Sequence, residues 1–242
     1  MADFTSKLIM VAEQNEATKG IIAEASAQKL EALTSHMLKV NEHLNLTAIR
    51  DEDGVILKHL VDSSACVPYI PFGAKVADVG CGGGFPSLVI AILREDVSVF
   101  GVDSVAKKVK YVDETAHLLG LDNVSVSSRR AEELGQDKKY REAFDIVTAR
   151  AVARLNILCE LCVPLLKVGG KFIAMKSLTT EEELEEAKNA ILQVGAEVKS
   201  VDRYTLKNDT EILDRTIIVI EKVKQTPSKY PRNNSQIAKK PL

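Results

Sequence analysis

The stretch Lys75 to Asp103, KVADVGCGGGFPSLVIAILREDVSVFGVD, constrains the fold more than any other part of the chain. A short apolar run, Val76 to Val79 with Asp78 inside it, leads into Gly80, Gly82, Gly83 and Gly84. Phe85 to Leu93 then reads as a buried helix. Pro86 falls in its first turn, where a residue without an N–H is tolerated. A second apolar run, Val97 to Val102, ends in Asp103. Strand, glycine turn, helix, strand and terminal acid together describe a unit that binds the adenosine part of a cofactor. Glycines let the backbone approach the ligand, and the acid accepts hydrogen bonds from ribose hydroxyls. Asp103 follows Gly84 by 19 residues, near the ~20 such units show.

These glycines do not spell the dinucleotide fingerprint G-x-G-x-x-G. Counted from Gly80 the third glycine position is Phe85, and counted from Gly82 it is Ser87. Pro86 also removes an N–H that a pyrophosphate would use at a helix N-terminus. The D-x-G-x-G-x-G string from Asp78 to Gly84 instead resembles the first motif of class I S-adenosylmethionine methyltransferases, whose ligand has no phosphate to cradle. A nicotinamide-dependent oxidoreductase on a similar sheet stands as the rival reading, and titration with the two cofactors separates them.

The chain has 242 residues, 45% of them apolar, enough for one sizeable domain with additions. No apolar run approaches the ~20 residues of a membrane span. MADFTSKLIM lacks the basic and apolar regions of a signal peptide, so cytoplasmic residence is expected. Cys159 and Cys162 form a lone C-x-x-C inside the apolar run LNILCELCVPLL. With no second pair or histidine beside them they read as core residues, and no metal site is expected. The overall charge of −2 is unevenly spread: residues 224–242 carry five cations and no acid, which leaves −7 on the rest. A basic end of this kind is either a phosphate contact or a solvated tail.

Residues 1–70 read as a helical extension. Ser26 is a candidate cap for a helix running to about Glu42, and Asn45 and Thr47 interrupt the pattern as a turn. Asp51 to Asp53 place acids at the start of the next helix, which brings Lys58, His59 and Asp62 onto adjacent faces. Pro68 and Pro71 mark a boundary. Residues 71–223 alternate strands with helices, with later strands at Val124 to Ser128, Phe144 to Thr148 and Lys171 to Lys176. A helix from Thr180 to Val194 precedes Val198 to Leu206 and Thr216 to Val223, which read as an antiparallel pair. The expected class is α/β, a mostly parallel Rossmann-like sheet with both faces covered, ending in a pair that a simple dinucleotide domain lacks. Residues 224–242 form the basic C-terminal tail.

Several motifs in order resemble one family. They are NLT (Asn45 to Thr47), KHLVDS (Lys58 to Ser63), DVGCGGGFP (Asp78 to Pro86) and VDSVAKKVKYV (Val102 to Val112). RAEE (Arg130 to Glu133), FDIVTARAVARL (Phe144 to Leu155), GGKFIAMK (Gly169 to Lys176) and TPSKYPR (Thr226 to Arg232) follow. Together they are similar to the RsmG family, also called glucose-inhibited division protein B, bacterial 16S ribosomal RNA guanine-N7 methyltransferases. The sequence departs from that pattern at Ser87, Ser177 and Asn234–Ser235, where glycine is common in relatives.

The resemblance implies the class I methyltransferase fold, S-adenosyl-L-methionine as cofactor, and 16S ribosomal RNA or the small ribosomal subunit as partner. Carried over by position, cofactor contacts fall on Gly80, Phe85, Ala131, Glu132 and Arg150, with Asp103 and Ser104 at the ribose; Asp78, Gly82 and Gly84 belong to the glycine motif. Guanine N7 carries a lone pair and no proton, so no general base and no catalytic acid–base pair is expected. His59 and Asp62 read as structural. Arg129, Arg154, Lys176, Lys229 and Arg232 are the candidate RNA contacts, each equally readable as a surface charge or local ion pair. A non-catalytic RNA clamp is a further rival, opposed by the intact cofactor loops. A monomer is expected.

Overall fold

The computed structural model describes residues 3–178 and 181–242. Helix α1 (Phe4–Glu13) is capped by Asp3, whose side chain accepts from the Ser6 N–H. Helix α2 (Glu24–Leu44) begins two residues before Ser26 and has no side-chain cap. It ends at Asn45, which takes the left-handed conformation with φ 50°, one that a short polar side chain tolerates. Asp51 caps the next helix by accepting from the Gly54 N–H. That helix changes winding along its length. α3 (Glu52–Val55) passes into a π-helical stretch, Ile56–Val61, and then into α4 (Asp62–Ser64). π-helical stretches recur at functional sites, and this one carries Lys58 and His59.

The sheet domain follows as β1 (Lys75–Val79), α5 (Ser87–Leu93), β2 (Ser98–Val102), α6 (Ala106–Leu118), β3 (Val124–Ser127), α7 (Ala131–Gln136) and β4 (Phe144–Arg150). It continues with α8 (Leu155–Cys162), β5 (Leu166–Lys176), α9 (Glu181–Val194), β6 (Ala196–Lys207), β7 (Ile212–Lys222) and α10 (Asn234–Lys239). The expected start of α9 at Thr180 lies outside the described residues. Across the sheet the order is β3-β2-β1-β4-β5-β7-β6. Strands β1 to β5 are parallel, and β7 runs antiparallel to both β5 and β6. Strand order reverses beside β1, and the crevice outside the carboxyl ends there is where ligands bind in such sheets.

Side-chain alternation divides the core between the two faces. Val76, Ile146, Ile173 and Val219 belong to one cluster, with Val89 of α5 and Val112 of α6. Their neighbours Ala77, Val147, Phe172 and Ile218 belong to the other, with Leu134 of α7, Leu158 of α8 and Ile191 of α9. Leu8, Leu30 and Met37 of the N-terminal helices share the first cluster, so the helical extension is built onto one face of the sheet. Cys159 and Cys162 are fully buried in the second.

Two segments are more ordered than their sequence suggests. The run after Arg130 is helix α7. The C-terminal residues do not form a solvated tail. Thr226 Oγ1 donates to the Val194 carbonyl at 2.6 Å, Arg141 donates to the carbonyls of Thr226 and Tyr230, and Gln136 donates to that of Pro231. Tyr230 and Ile237 are buried. A Cβ on Gly135 would stand 2.7 Å from Pro231 Cγ, so a glycine in α7 is what lets this segment lie so close.

Candidate active site

The glycine turn leaves β1 and is tied to the end of β2, where the N–H groups of Gly80 and Cys81 both donate to the Val102 carbonyl at 2.7 and 3.0 Å. Gly82 adopts φ 53°, which a side chain rarely takes. Its N–H donates to Asp103 Oδ2 at 3.0 Å, and the Val105 N–H donates to Asp103 Oδ1 at 2.8 Å. The acid is therefore oriented by backbone, with lone pairs left over on both oxygens. Beside it α7 begins with Ala131 and Glu132. Glu132 is buried, and its Oε1 has no hydrogen-bond partner among the described residues.

These groups surround a cavity of about 440 Å3 at the carboxyl ends of β1, β2 and β4, within the size range of small-molecule sites. Gly80, Gly82, Phe85, Asp103, Ser104, Arg129, Ala131, Glu132 and Arg150 all line it. Two residues of the glycine motif do not. Asp78 is fully buried; its carboxylate accepts from Thr148 Oγ1 at 2.9 Å and the Ser87 N–H at 3.2 Å, tying β1 to β4 and α5. Burial pushes its carboxyl up to about 6. Gly84, at φ 89°, turns inward, where a Cβ would stand 2.5 Å from Leu88 Cδ1. Both shape the turn from behind.

Sequence reasoning missed other wall residues, among them Leu46, Thr47, His59, Leu161 and Asn234. The NLT motif was visible but its role was not. Asn41 explains it: its Oδ1 accepts from the N–H groups of Leu46 and Thr47, and its Nδ2 donates to the Thr47 carbonyl. The loop is thereby held across the cavity, and Thr47 Oγ1 lies 2.8 Å from His59 Nε2.

His59 stacks on Phe85, with ring centroids 4.6 Å apart and planes 11° from parallel. Its Nδ1 is 3.3 Å from the Arg150 guanidinium, which has only protons to offer, so Nδ1 accepts and Nε2 carries the proton toward Thr47. Burial, then the Arg150 charge, pushes the imidazole down to about 3, so it is neutral and weakly basic at physiological pH. Arg150 is itself committed. It donates to the Lys58 carbonyl at 2.7 Å and to Asp62 Oδ2 at 2.9 Å, while Arg215 Nε reaches Asp62 Oδ1 at 2.8 Å.

A second cavity of about 500 Å3 adjoins the first and shares His59, Arg150, Ala151 and Val152 with it. Lys58, Arg150, Lys176 and Arg215 line it together with Asp62, and Lys58 pairs with Glu211 at 2.9 Å. The five cations proposed from sequence as RNA contacts are spread more widely. Lys176 faces the second cavity but pairs with Glu183 at 2.7 Å. Arg129 pairs with Asp137 at 2.8 Å, and Arg154 pairs with Glu186. Lys229 is exposed, 5.0 Å from the centroid of the Tyr230 ring. Arg232 is committed to an ion pair within the fold. Its N–H, Nε and guanidinium NH2 reach Glu160 at 2.9, 2.8 and 2.6 Å, and that carboxylate, at 0% exposure, requires a counter-charge.

Among the described residues no helix is long and apolar enough to cross a membrane, and no group of three or more His, Cys, Asp or Glu could hold a metal ion.

Comparison with known proteins identifies the family and the fold. Residues 26–213 match the family GidB, described as rRNA small subunit methyltransferase G. A Ribosomal RNA small subunit methyltransferase G from Lactobacillus delbrueckii subsp. bulgaricus is 45% identical over 225 residues, covering 91% of this chain and 93% of its own length. The fold is also that of more distant solved structures. A SAM-dependent O-methyltransferase from Thermotoga maritima superposes with TM-score 0.51 at 17% identity, over 79% of this chain and 72% of that one. TYW2 from M. jannaschii, solved in complex with AdoMet, gives TM-score 0.52 at 15% identity, over 66% and 74%. The chain belongs to the GidB family of rRNA small subunit methyltransferases G.

Proposed function

We propose that the protein transfers the methyl group of S-adenosyl-L-methionine to N7 of a guanosine in 16S ribosomal RNA. The observation that carries this reading is the wall, His59, Arg150, Ala151 and Val152, that two adjoining cavities share. The first offers the carboxylates of Asp103 and Glu132 beside an open glycine turn. The second is lined by Lys58, Arg150, Lys176 and Arg215, whose ion-pair partners are Glu211, Asp62 and Glu183, which leaves a positive excess toward an anionic polymer. Glu132 Oε1, buried without a partner among the described residues, is an acceptor awaiting a donor, since buried polar groups are otherwise satisfied.

In this reading Asp103 and Ser104 hold the ribose of the cofactor. Gly80, Gly82, Phe85, Ala131 and Glu132 hold the rest, and Arg150 builds the wall. When bound, the cofactor supplies a methyl group activated on a sulfonium. Guanine N7 has a lone pair and no proton, so no side chain need act as base, and the weakly basic His59 is consistent with that. His59 and Arg150 instead fix the boundary at which the two reactants align. Lys58, Lys176 and Arg215 bear on guanine O6 and neighbouring phosphates, which leaves N7 free. Lys229 extends the contact. The enzyme works in the cytoplasm as a monomer.

Incubation of the purified protein with small-subunit RNA and cofactor labelled in the methyl group tests this. After digestion to nucleosides, the label is expected in 7-methylguanosine. Label in another nucleoside refutes the N7 assignment. RNA binding without incorporation favours a non-catalytic clamp.

A further inference from the structure

We propose that the C-terminal segment is part of the cofactor site, and that Asn234 recognises the base edge of the adenosyl group. This rests on the reading of the first cavity given above.

Two anchors bring the segment there. Arg232 grips the fully buried Glu160 of α8 through three donors. The residue after Glu160, Leu161, lines the cavity, and two residues after Arg232 so does Asn234. One ion pair therefore sets both cavity residues. Beyond it α10 is fixed by a capping box between Asn233 and Gln236 and by Ile237, which is 2% exposed. Before it, Pro231 is seated on Gly135. A surface tail would not need a buried carboxylate to hold it, because burying that charge is costly unless its partner stays in place.

The position of Asn234 within the cavity points to the base. Asp103 ends β2 and is the residue suited to ribose hydroxyls. The next strand outward is β3, and the cavity continues past its end along Arg130, Ala131 and Glu132 of the β3–α7 connection. Leu161 and Asn234 also line that cavity, contributed from α8 and the C-terminal segment. A purine directed from the ribose toward β3 would meet them. Leu161 offers an apolar surface. The Asn234 side chain is exposed and makes no hydrogen bond among the described residues. A carboxamide offers a donor and an acceptor side by side, which matches the adjacent amino group and ring nitrogen of adenine.

Titration calorimetry with S-adenosylhomocysteine tests the proposal. The Asn234→Ala variant is expected to keep the wild-type melting temperature, because the side chain is exposed, and to bind about five- to tenfold more weakly, as loss of a hydrogen-bonding partner would give. In the wild-type protein, ligand is expected to slow amide hydrogen exchange across 234–239. Equal affinity in the variant, or no slowing in the wild type, overturns the proposal while leaving the cofactor reading intact. A wild-type protein that binds no S-adenosylhomocysteine overturns the cofactor reading and this inference with it.

Discussion

Asp62 and Arg150 meet at 2.9 Å, with side chains only 8% and 14% exposed. The pair joins the N-terminal helices to the end of β4. The other carboxylate oxygen of Asp62 holds Arg215 of β7 at 2.8 Å, so one acid sets two arginines at the second cavity. Removing it leaves two half-buried cations unpaired, whereas removing Arg150 leaves Asp62 with Arg215. Asp62→Ala is expected to cost about 3–5 kcal/mol and Arg150→Ala clearly less. Urea denaturation midpoints check this, and equal shifts for the two variants would contradict it.

His59 makes stability depend on pH. Its folded pKa, about 3, lies below the ordinary imidazole value of 6.5, so the unfolded chain binds the proton more readily. The contribution is fully present above pH 6.5 and is lost as pH falls toward 3. Between pH 7 and pH 5 the wild type should lose roughly 1–2 kcal/mol more than His59→Gln. Parallel losses in the two proteins would show that the imidazole is not held neutral.

The two tail cations should separate. Lys229 is exposed, and Lys229→Ala is expected to lower the slope of log affinity for RNA against log salt by about 0.7–0.9, the share of one phosphate contact. Arg232→Ala should leave that slope unchanged and lower stability, because Glu160 keeps its buried charge. Filter binding at several salt concentrations, with melting curves, reads both. A lowered salt slope in Arg232→Ala would return that residue to the RNA surface.

Arg215 lines the second cavity and not the first. Arg215→Ala is therefore expected to reduce kcat/KM for RNA about ten- to hundredfold, the loss of a charged hydrogen bond, while affinity for S-adenosylhomocysteine stays within about twofold. A matching loss of S-adenosylhomocysteine affinity would mean that the two cavities are one site.

What the sequence made legible was local. Gly80 to Gly84, Asp103 and the alternating runs identified the sheet and the cofactor edge, because backbone conformation and strand periodicity are written in neighbouring residues. The paired final strands were legible for the same reason. The partners of the charged residues were not. Arg150 finds Asp62 88 positions away and Arg232 finds Glu160 72 positions away, and no spacing rule links such residues. Asp78 looked like a ligand contact because it shares a motif with the glycines, yet alternation along β1 turns its side chain into the core. Helix α7 was obscured by its shortness, and Asn234 carried no signal because only the fold brings the C-terminal segment back to the cavity.

The central claim is that this protein methylates N7 of a guanosine in small-subunit ribosomal RNA. Nucleoside mass spectrometry of that RNA, from cells with and without the protein, measures it most directly. Loss of one 7-methylguanosine per small subunit in the cells lacking it is the expected result; an unchanged 7-methylguanosine content would contradict the account.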